Sequence, residues 1–387
     1  MREQSHSDWG NSRGETGPSR IPADSHLPSL PWHSVHPAGR FRLTTQYYPA
    51  DEPPRPARRR RPLRTTAVVL LTLFATVAVL VGGFVIALAV AFDARTSTID
   101  PAFPDQSVRP ERSAAAEGAR NILLLGSDAR AAEGTGSDAP EDSRFDTMML
   151  LHLPADRDNV YVMSIMRDTW TEIPGHGEQK INAAMSLGGM PLVVQTVETM
   201  LDEPIDHVAI VDFEGFKGLT DALGGVTVDN PGAFQSEGSS GEYFEQGPIT
   251  LDGDSALKFV RERYAFSDGD YQRVQNQQLF IKGIMSELLS AQTLANPVKL
   301  ARVVWDMSPY LSVDEDFGAV TLGSPALGMW QVRADDVQFF TLPNLGVGTA
   351  PDGQSIVVKD DAALAEIARA LDQGSLRDYV SSTGVGG

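Results

Sequence analysis

The sequence predicts an α/β protein, a layered α/β/α sandwich around a mixed central sheet, preceded by one transmembrane helix. Two observations support this prediction. A run of 26 uncharged, mostly apolar residues occupies 67–92, and after it short apolar runs alternate with longer stretches of helical periodicity. Alternation of strands and helices is typical of a sheet that is covered by helices, whereas a succession of strands alone favours a β-sandwich.

The uncharged run is long enough to cross a bilayer, which takes about 20 apolar residues as a helix. We therefore predict a transmembrane helix over 65–92. Six arginines lie between residues 55 and 64, just before it, whereas acidic and basic residues are mixed after it. Because positive charge stays on the cytoplasmic side, we expect a single-pass protein of the cell membrane, with a cytoplasmic N-terminus and an extracytoplasmic C-terminal domain.

The chain on either side of this helix has contrasting composition. Residues 1–64 hold 10 of the 25 prolines, with 11 arginines, six acidic residues and no apolar period, which predicts a disordered cytoplasmic tail. After the helix we predict a linker over 93–117, an extracytoplasmic domain over 118–375 and a flexible C-terminus over 376–387.

Apolar runs in the exterior domain predict buried strands, and periodic stretches predict helices. Strands are expected at 121–128, 146–154, 159–168, 224–231 and 335–343. A strand over 206–216 is followed by a helical stretch to Leu223, and further helices are expected at 182–201, within 250–263 and at 271–291. Asp252 or Asp254 can cap the third helix and Asp270 the fourth. The apolar stretch 183–201 is either a core helix, which its composition favours, or one wall of a slot for a lipid chain.

Composition argues against several classes of function. The absence of cysteine rules out disulfides, cysteine-ligated zinc and a thiol nucleophile. Residues 93–387 carry 21 basic and 45 acidic residues, so we expect no nucleic-acid partner, because phosphate backbones require a basic face. No G-x-S-x-G or H-E-x-x-H motif is present, which gives a serine hydrolase or a zinc peptidase little support.

Charged residues at the ends of the predicted strands are the first candidates for chemistry. Asp128 follows the first strand, Arg144 and Asp146 precede the second, and Arg167 and Asp168 end the third. Arg144 and Asp146 reach the edge of the sheet where ligands bind only if their strand runs antiparallel. Asp128 and Asp146 can then share a hard cation such as Mg²⁺ (or Mn²⁺), which takes few carboxylates together with phosphate oxygens.

Arginines at helix ends extend this set. Arg261 and Arg263 end one predicted helix, and Arg273 lies four residues before Gln277, on the same face of the next. Guanidinium groups bind two phosphate oxygens each and stabilise transition-state charge, so the whole set favours a pyrophosphate ligand. A single arginine of the set is more often a structural ion pair. Lys180 either reaches phosphate or belongs to the cap of the following helix.

The same residues stand in stretches that strongly resemble the LytR–CpsA–Psr family of cell-wall glycopolymer transferases. In order over roughly 118–290, these stretches are NILLLGSDAR, SRFDTMMLLHL, VYVMSIMRDT, KINAA, VDFEGF with DALGGVTVD, and LDGDSALKFVRER with DGDYQRVQNQQLFIKGI. Their number and order make the resemblance far more specific than one motif would.

The resemblance implies a Mg²⁺-dependent phosphotransferase. Its substrate would be a glycan linked to polyprenyl pyrophosphate, and a peptidoglycan hydroxyl, the muramic acid 6-OH, would attack the phosphate that carries the glycan. Position by position, it implies Asp128 and Asp146 as metal ligands, Lys180 and Gln277 as substrate contacts, and as catalytic, pyrophosphate-binding residues Arg144, Arg167, Arg261, Arg263 and Arg273. The prenyl chain would occupy a hydrophobic tunnel between sheet and helices.

Two features depart from the family pattern. Asn276 stands where many relatives have arginine, and the loop 131–143 is longer and more acidic than expected. Two other functions stay open: a polyprenyl pyrophosphate phosphatase would need the same residues, and a non-catalytic membrane sensor or anchor would signal through the tail. The glycopolymer is also left open, although the composition is typical of an actinobacterial chain.

Overall fold

The computed structural model describes residues 62–127, 145–237, 241–267, 269–319, 321 and 332–385. Its strands are β1 Ser97–Ile99, β2 Arg120–Ser127, β3 Phe145–Leu153, β4 Val160–Ser164, β5 Thr169–Ile173, β6 Gly177–Lys180, β7 His207–Asp212, β8 Val226–Asn230, β9 Phe234–Gln235, β10 Tyr243–Phe244, β11 Gly247–Leu251, β12 Leu311–Asp314, β13 Val337–Thr341, β14 Asn344–Thr349 and β15 Ser355–Lys359. Its helices are α1 Pro62–Asp93, α2 Ala183–Leu201, α3 Phe213–Leu223, α4 Gly253–Arg261, α5 Asp270–Leu288, α6 Ala291–Leu294, α7 Pro297–Met307, α8 Asp361–Asp372 and α9 Leu376–Thr383.

The central sheet has seven strands in the order β1-β12-β7-β2-β3-β4-β13. Strand β2 runs parallel to β7 but antiparallel to β3, and β3 is antiparallel to β4. The sheet is therefore mixed, as predicted. The antiparallel β3 brings its N-terminal end to the edge where β2 and β4 end.

Helices cover both faces of this sheet. On β2, Leu123 and Leu125 pack with α2, α8 and α9, whereas Ile122 and Leu124 point to the opposite face, which is covered by α5 and α7. Because both faces are buried, the central strands are nearly continuous apolar runs. The predicted α/β/α layering is confirmed. A further apolar cluster joins α3, α4 and α5 to the hairpin β8/β11.

A second, four-stranded sheet, β14-β15-β5-β6, adjoins the central one. Backbone hydrogen bonds extend both sheets into the segment between β4 and β5: Leu342 N donates to Ser164 O at 2.8 Å beside β13 and β4, and Val357 N donates to Asp168 O at 2.9 Å beside β15 and β5. The segment that leaves β4 and enters β5 therefore belongs to both sheets. This segment contains Arg167.

The apolar run forms one long helix, α1. Of the described residues, only Arg64–Asp93 is long and apolar enough to cross a membrane. Its last turn is attached to the domain, since Phe92 is buried and Asp93 accepts a hydrogen bond from Ala319 N at 2.8 Å. The guanidinium of Arg95 lies 3.9 Å from the ring centroid of Trp305. The helix thus enters the folded domain directly.

Two predicted segment boundaries need correction. The linker predicted over 93–117 contains β1, which pairs with β12, and two arginines that are ion-paired to the domain. The C-terminus predicted to be flexible over 376–387 begins with α9, whose Leu376 and Val380 are buried. Both segments are short and rich in polar residues, so their few apolar contacts give no periodic signal.

Helix details resolve several open points. Asp252, not Asp254, caps α4 by accepting a hydrogen bond from Ser255 N at 2.9 Å. Gly269 precedes α5, so the predicted cap Asp270 is instead its first helical residue. Helix α2 is kinked at Gly188 and Gly189, where φ reaches 66° at the second glycine. Its buried side chains pack in the core, which confirms the core-helix interpretation of 183–201.

Candidate active site

The first part of the site follows from the pairing of β3 with β4. Met149 lies opposite Ser164, and the same antiparallel register, continued past the end of the ladder, places Asp146 opposite Arg167. Accordingly, Arg167 Nη1 donates to Asp146 Oδ1 at 2.5 Å, with about a fifth of each side chain exposed. Arg167 Nε is buried and has no hydrogen-bond partner among the described residues.

Lys180 extends this charged group away from the cavity. Asp168 Oδ2 lies 3.7 Å from Arg167 Nε, and Asp168 Oδ1 lies 3.2 Å from Lys180 Nζ. Lys180, at the end of β6, does not line the cavity described below. The structure therefore places it one ion pair behind Arg167, so its predicted contact with substrate is not seen in this arrangement.

The end of α4 supplies Arg261 and Arg263. Arg261 is exposed, and its guanidinium lies 4.6 Å from the ring centroid of Phe213. Arg263 donates to the hydroxyl of Tyr264, and this hydrogen bond is the main cause of a raised pKa of Arg263.

Sequence reasoning missed the residue between these two arginines. Glu262 is only 6% exposed. Its Oε1 accepts from the backbone N–H groups of Arg263, Tyr264 and Ala265 at 3.0, 2.7 and 2.9 Å, and its Oε2 accepts from Glu237 N at 2.7 Å. The carboxylate thus shapes the loop that presents both arginines. A charged residue between two arginines is typical of an exposed position, and no periodic signal marked it as buried.

The first turns of α5 complete the polar set. Arg273 is 5% exposed and its Nη2 lies 3.3 Å from Asp270 Oδ1, which is also 3.9 Å from Arg263 Nη1. Burial lowers the pKa of Arg273; Asp270 opposes this effect and Arg167 adds to it. Arg273 Nε has no partner among the described residues. Gln277, one turn later, donates to Val260 O at 3.5 Å.

A single cavity of about 370 Å³ unites these side chains. Its polar lining consists of Asp146, Thr147, Arg167, Arg261, Arg263, Tyr264, Arg273 and Gln277. The lining changes character along α5, because Arg273 and Gln277 are followed on the same face by Phe280 and Ile284. From Arg273 to Ile284 the helix rises about 16 Å. Apolar residues of β2, β3, β7, α3 and α4 complete the far end, including Met149, Val211, Phe216, Leu219 and Leu257.

The charge of the lining contrasts with that of the domain. Four arginines and one aspartate of the described residues line the cavity, within an exterior region of net charge −24. Among the described residues, Arg261 and Arg273 donate no hydrogen bond and Arg167 donates one, to Asp146. Most donors of these guanidinium groups are therefore left for a ligand. The arrangement suits a ligand with an anionic head and a long apolar tail.

Six of the nine predicted site residues therefore meet in one cavity. Asp128 and Arg144 lie outside the described residues. Asn276, where an arginine was expected, is fully buried and donates to Phe259 O at 3.2 Å, so it joins α5 to α4 and does not face the cavity. The polar side chains Arg273, Asn276 and Gln277 are thus all buried on α5.

Comparison with known proteins agrees with this geometry. Residues 88–373 match the model of the LytR_cpsA_psr family. The chain belongs to the LytR–CpsA–Psr (LCP) family. This LCP chain is 35% identical over 256 residues to the polyisoprenyl-teichoic acid–peptidoglycan teichoic acid transferase TagU of Enterococcus faecalis, a match that covers 65% of the chain and 78% of that relative. It is 42% identical over 180 residues to the TagU of Oceanobacillus iheyensis, covering 45% of the chain and 53% of that relative.

Solved LCP structures share the fold. The crystal structure of B. subtilis TagV has a TM-score of 0.56 and 25% identity, and covers 66% of this chain and 97% of TagV. An LCP enzyme from Actinomyces oris has a TM-score of 0.56 at 23% identity, covering 71% of this chain and 95% of the other. The fold predicted from the sequence is therefore confirmed by independent structures.

Proposed function

We propose that this LCP protein is a phosphotransferase that moves a glycopolymer from a polyprenyl pyrophosphate carrier to a hydroxyl of peptidoglycan and forms a phosphodiester bond. Membership of the family and relatives named as teichoic acid transferases support the reaction class. The observation that carries the proposal is the single cavity in which four arginines adjoin a long apolar lining. A lipid pyrophosphate has this same division between charged head and apolar chain.

Each group of residues has a distinct task in this reaction. The apolar side chains of α3, α4 and α5 hold the prenyl chain, so the pyrophosphate stops at the arginines. Arg167 and Arg273, which line the cavity, bind its oxygens. The acceptor oxygen bonds to the glycan-bearing phosphorus, the bond from that phosphorus to the bridging oxygen breaks, and polyprenyl phosphate leaves. The arginines stabilise the charge that grows on the bridging oxygen.

We also expect Mg²⁺ (or Mn²⁺) at Asp146. No three His, Asp or Glu side chains of the described residues form a group that could hold a metal ion. Mg²⁺ nevertheless fits, because it is usually bound by one or two carboxylates together with substrate phosphates. Asp146 lines the cavity beside Arg167, and Asp128 is the second proposed carboxylate. When bound, the ion would neutralise phosphate charge.

The protein would work at the outer surface of the cell membrane. Helix α1 would be the anchor, and the arginines between residues 55 and 64 support a cytoplasmic N-terminus. The attachment of Phe92 and Asp93 to the domain keeps the cavity within reach of a carrier whose prenyl chain starts in the bilayer.

The test is a transfer assay with the full-length protein in detergent. A short glycan on a polyprenyl pyrophosphate carrier is mixed with peptidoglycan oligomers and Mg²⁺, and the phosphodiester product is measured by mass spectrometry. We expect transfer by the wild type, and a rate at least roughly 10²-fold lower for Asp146→Ala, the usual scale for losing one contact that stabilises the transition state.

The outcomes separate the alternatives. Release of phosphate without glycan transfer, in the presence of acceptor, would identify a pyrophosphatase. Binding of the carrier without any turnover would identify a sensor or anchor. Unchanged transfer by Asp146→Ala would exclude the proposed site.

A further inference from the structure

A second cleft adjoins the arginine end of the cavity. It has a volume of about 430 Å³, within the range of small-molecule sites. Its lining includes Asp168, Ser267, Asp270, Tyr271, Val347 and Ser355. These residues come from the start of α5, from the segment before β5, and from β14 and β15 of the second sheet. No task in the proposed reaction has yet been assigned to that sheet.

The cavity and the second cleft share a wall of ion pairs. Arg167 lines the cavity and its neighbour Asp168 lines the cleft, with 3.7 Å between Nε and Oδ2. Likewise Arg273 lines the cavity and Asp270 lines the cleft, with 3.3 Å between Nη2 and Oδ1. Cations therefore face one side of this wall and carboxylates the other.

Phosphoryl transfer constrains the direction from which the acceptor arrives. The attacking and leaving oxygens lie roughly in line on either side of the phosphorus. If the prenyl chain fills the apolar cavity, the leaving oxygen points into that cavity. The attacking hydroxyl must then approach from the arginine end of the cavity, which the second cleft adjoins through Arg167 with Asp168 and Arg273 with Asp270.

The chemistry of the cleft suits a sugar. Carboxylates accept hydrogen bonds from hydroxyl groups, and serine hydroxyls can donate or accept. Tyr271 packs with Met166, Val274 and Val357 at the floor, which provides an apolar surface for a sugar ring. The Tyr271 hydroxyl donates to Asn344 Oδ1 at 2.6 Å and so connects α5 to β14. An anionic phosphate, by contrast, would be repelled by Asp168 and Asp270.

We propose that the second cleft binds a sugar ring of the acceptor glycan and aims its hydroxyl at the phosphorus. This inference rests on the proposed transferase function. The hydroxyl oxygen bonds to the glycan-bearing phosphorus, its proton passes to water in the open cleft, and the bond to the bridging oxygen breaks. Polyprenyl phosphate leaves through the apolar cavity.

The test narrows the cleft without touching the arginines. Val347→Trp and Ser355→Trp each place a bulky side chain in it from an exposed strand position. The matched control is Leu345→Trp, which is exposed on the same strand, β14, but does not line the cleft. Acceptor KM, donor KM and slow hydrolysis of the donor by water are measured on the full-length protein, with the melting temperature as a check of folding.

We expect both cleft variants to raise the acceptor KM at least roughly tenfold, with donor KM and donor hydrolysis unchanged, and Leu345→Trp to behave as wild type. Binding of a peptidoglycan-derived disaccharide, followed by calorimetry, gives a second readout. Equal sugar binding by the wild type and both cleft variants, or no binding by the wild type, overturns the proposal. A wild type that binds the disaccharide in the cleft but transfers nothing refutes the transferase function and leaves the sugar site standing.

Discussion

Two sets of arginines in this molecule differ in how many hydrogen bonds they donate within the fold. One set consists of Arg109 and Arg112, which are ion-paired with Glu198 and Asp206. These four residues form a cluster named the stem clamp. Arg109 donates to Glu198 Oε1 at 2.9 and 2.7 Å and also to Ile205 O, and Arg112 donates to both oxygens of Asp206 at 2.8 and 2.6 Å. The clamp fixes the segment before β2 to α2 and to the segment before β7.

The other set lines the cavity and makes few hydrogen bonds. Among the described residues, Arg167 donates one to Asp146, and neither Arg261 nor Arg273 donates any. Arg109 and Arg112 each donate three hydrogen bonds, although Arg112 Nε is buried without a partner among the described residues. Arginines held by several hydrogen bonds stabilise the fold, whereas arginines that donate one or none keep most of their donors for an anionic ligand. The number of hydrogen bonds that remain to be made thus distinguishes a structural arginine from a binding one.

The largest expected effect is a loss of folding stability when an arginine of the stem clamp is removed. Arg109→Ala leaves Glu198, which is 1% exposed, as a buried charge without its partner, which costs about 3–5 kcal/mol. The melting temperature should fall clearly. The control is the double variant Arg109→Met/Glu198→Met, which removes both charges and should be close to wild type. An unchanged melting temperature for Arg109→Ala would remove the distinction between the two sets.

Removal of an arginine from the cavity should instead lower activity and leave stability unchanged. Arg261→Ala should lower kcat roughly 10²–10³-fold, because a contact made to charge in the transition state is lost. The melting temperature should not change, since Arg261 is exposed and donates no hydrogen bond to the described residues. Arg302→Ala, exposed on α7 and outside the cavity, is the matched control. A large loss of stability in Arg261→Ala would make it a structural residue.

Most of the fold could be predicted from the sequence, because buried strands and helices leave apolar runs and periods. The central strands and the layers followed from such runs. The stem clamp was not predicted, because Arg109 and Arg112 lie in a segment without apolar periodicity, and their partners Glu198 and Asp206 are about 90 residues away. Long-range ion pairs leave no local pattern.

The site was predictable in membership but not in geometry. Asp146 and Arg167 could be placed at strand ends, yet their contact depended on an antiparallel β3, which the sequence left open. Arg261, Arg263 and Arg273 could likewise be placed on predicted helices, and the resemblance then implied their role in binding pyrophosphate. The loop-shaping Glu262 and the position of Lys180 behind Asp168 depend on side-chain orientation, which periodicity does not encode.

The folding stability should depend on pH through two buried groups near the stem clamp, His152 and Glu203, which act in opposite directions. Burial lowers the pKa of His152 to about 4. As the pH falls below 6.5, His152 therefore becomes protonated in the unfolded state but not in the folded state, and the free energy of unfolding decreases. Burial raises the pKa of Glu203 to about 7, so stability falls instead as pH rises from 4.5 to 7. In the wild type the two effects largely cancel between pH 4.5 and 6.5.

Single variants should expose each contribution. Glu203→Gln leaves only His152, so this variant should lose up to about 3 kcal/mol on going from pH 6.5 to 4.5, at about 1.4 kcal/mol per pKa unit. His152→Gln should show the opposite slope. Thermal unfolding of the full-length protein at several pH values measures both. Parallel pH profiles for the two variants would contradict the assignment.

The smallest effect should come from the apolar end of the cavity and should depend on the substrate. Leu257 is half-buried in the lining, and Leu257→Trp shortens the space available to a prenyl chain. We expect the KM for a long-chain donor to rise roughly tenfold, the scale of one lost hydrophobic contact, while a donor with a truncated chain is used as before. Leu257→Met, which nearly conserves volume, is the control. Equal effects on both donors would mean that the larger side chain disturbs the arginines. No effect on either donor would mean that the prenyl chain lies elsewhere. Only a rise in KM that depends on the length of the prenyl chain shows that the two ends of the cavity bind the two ends of one molecule.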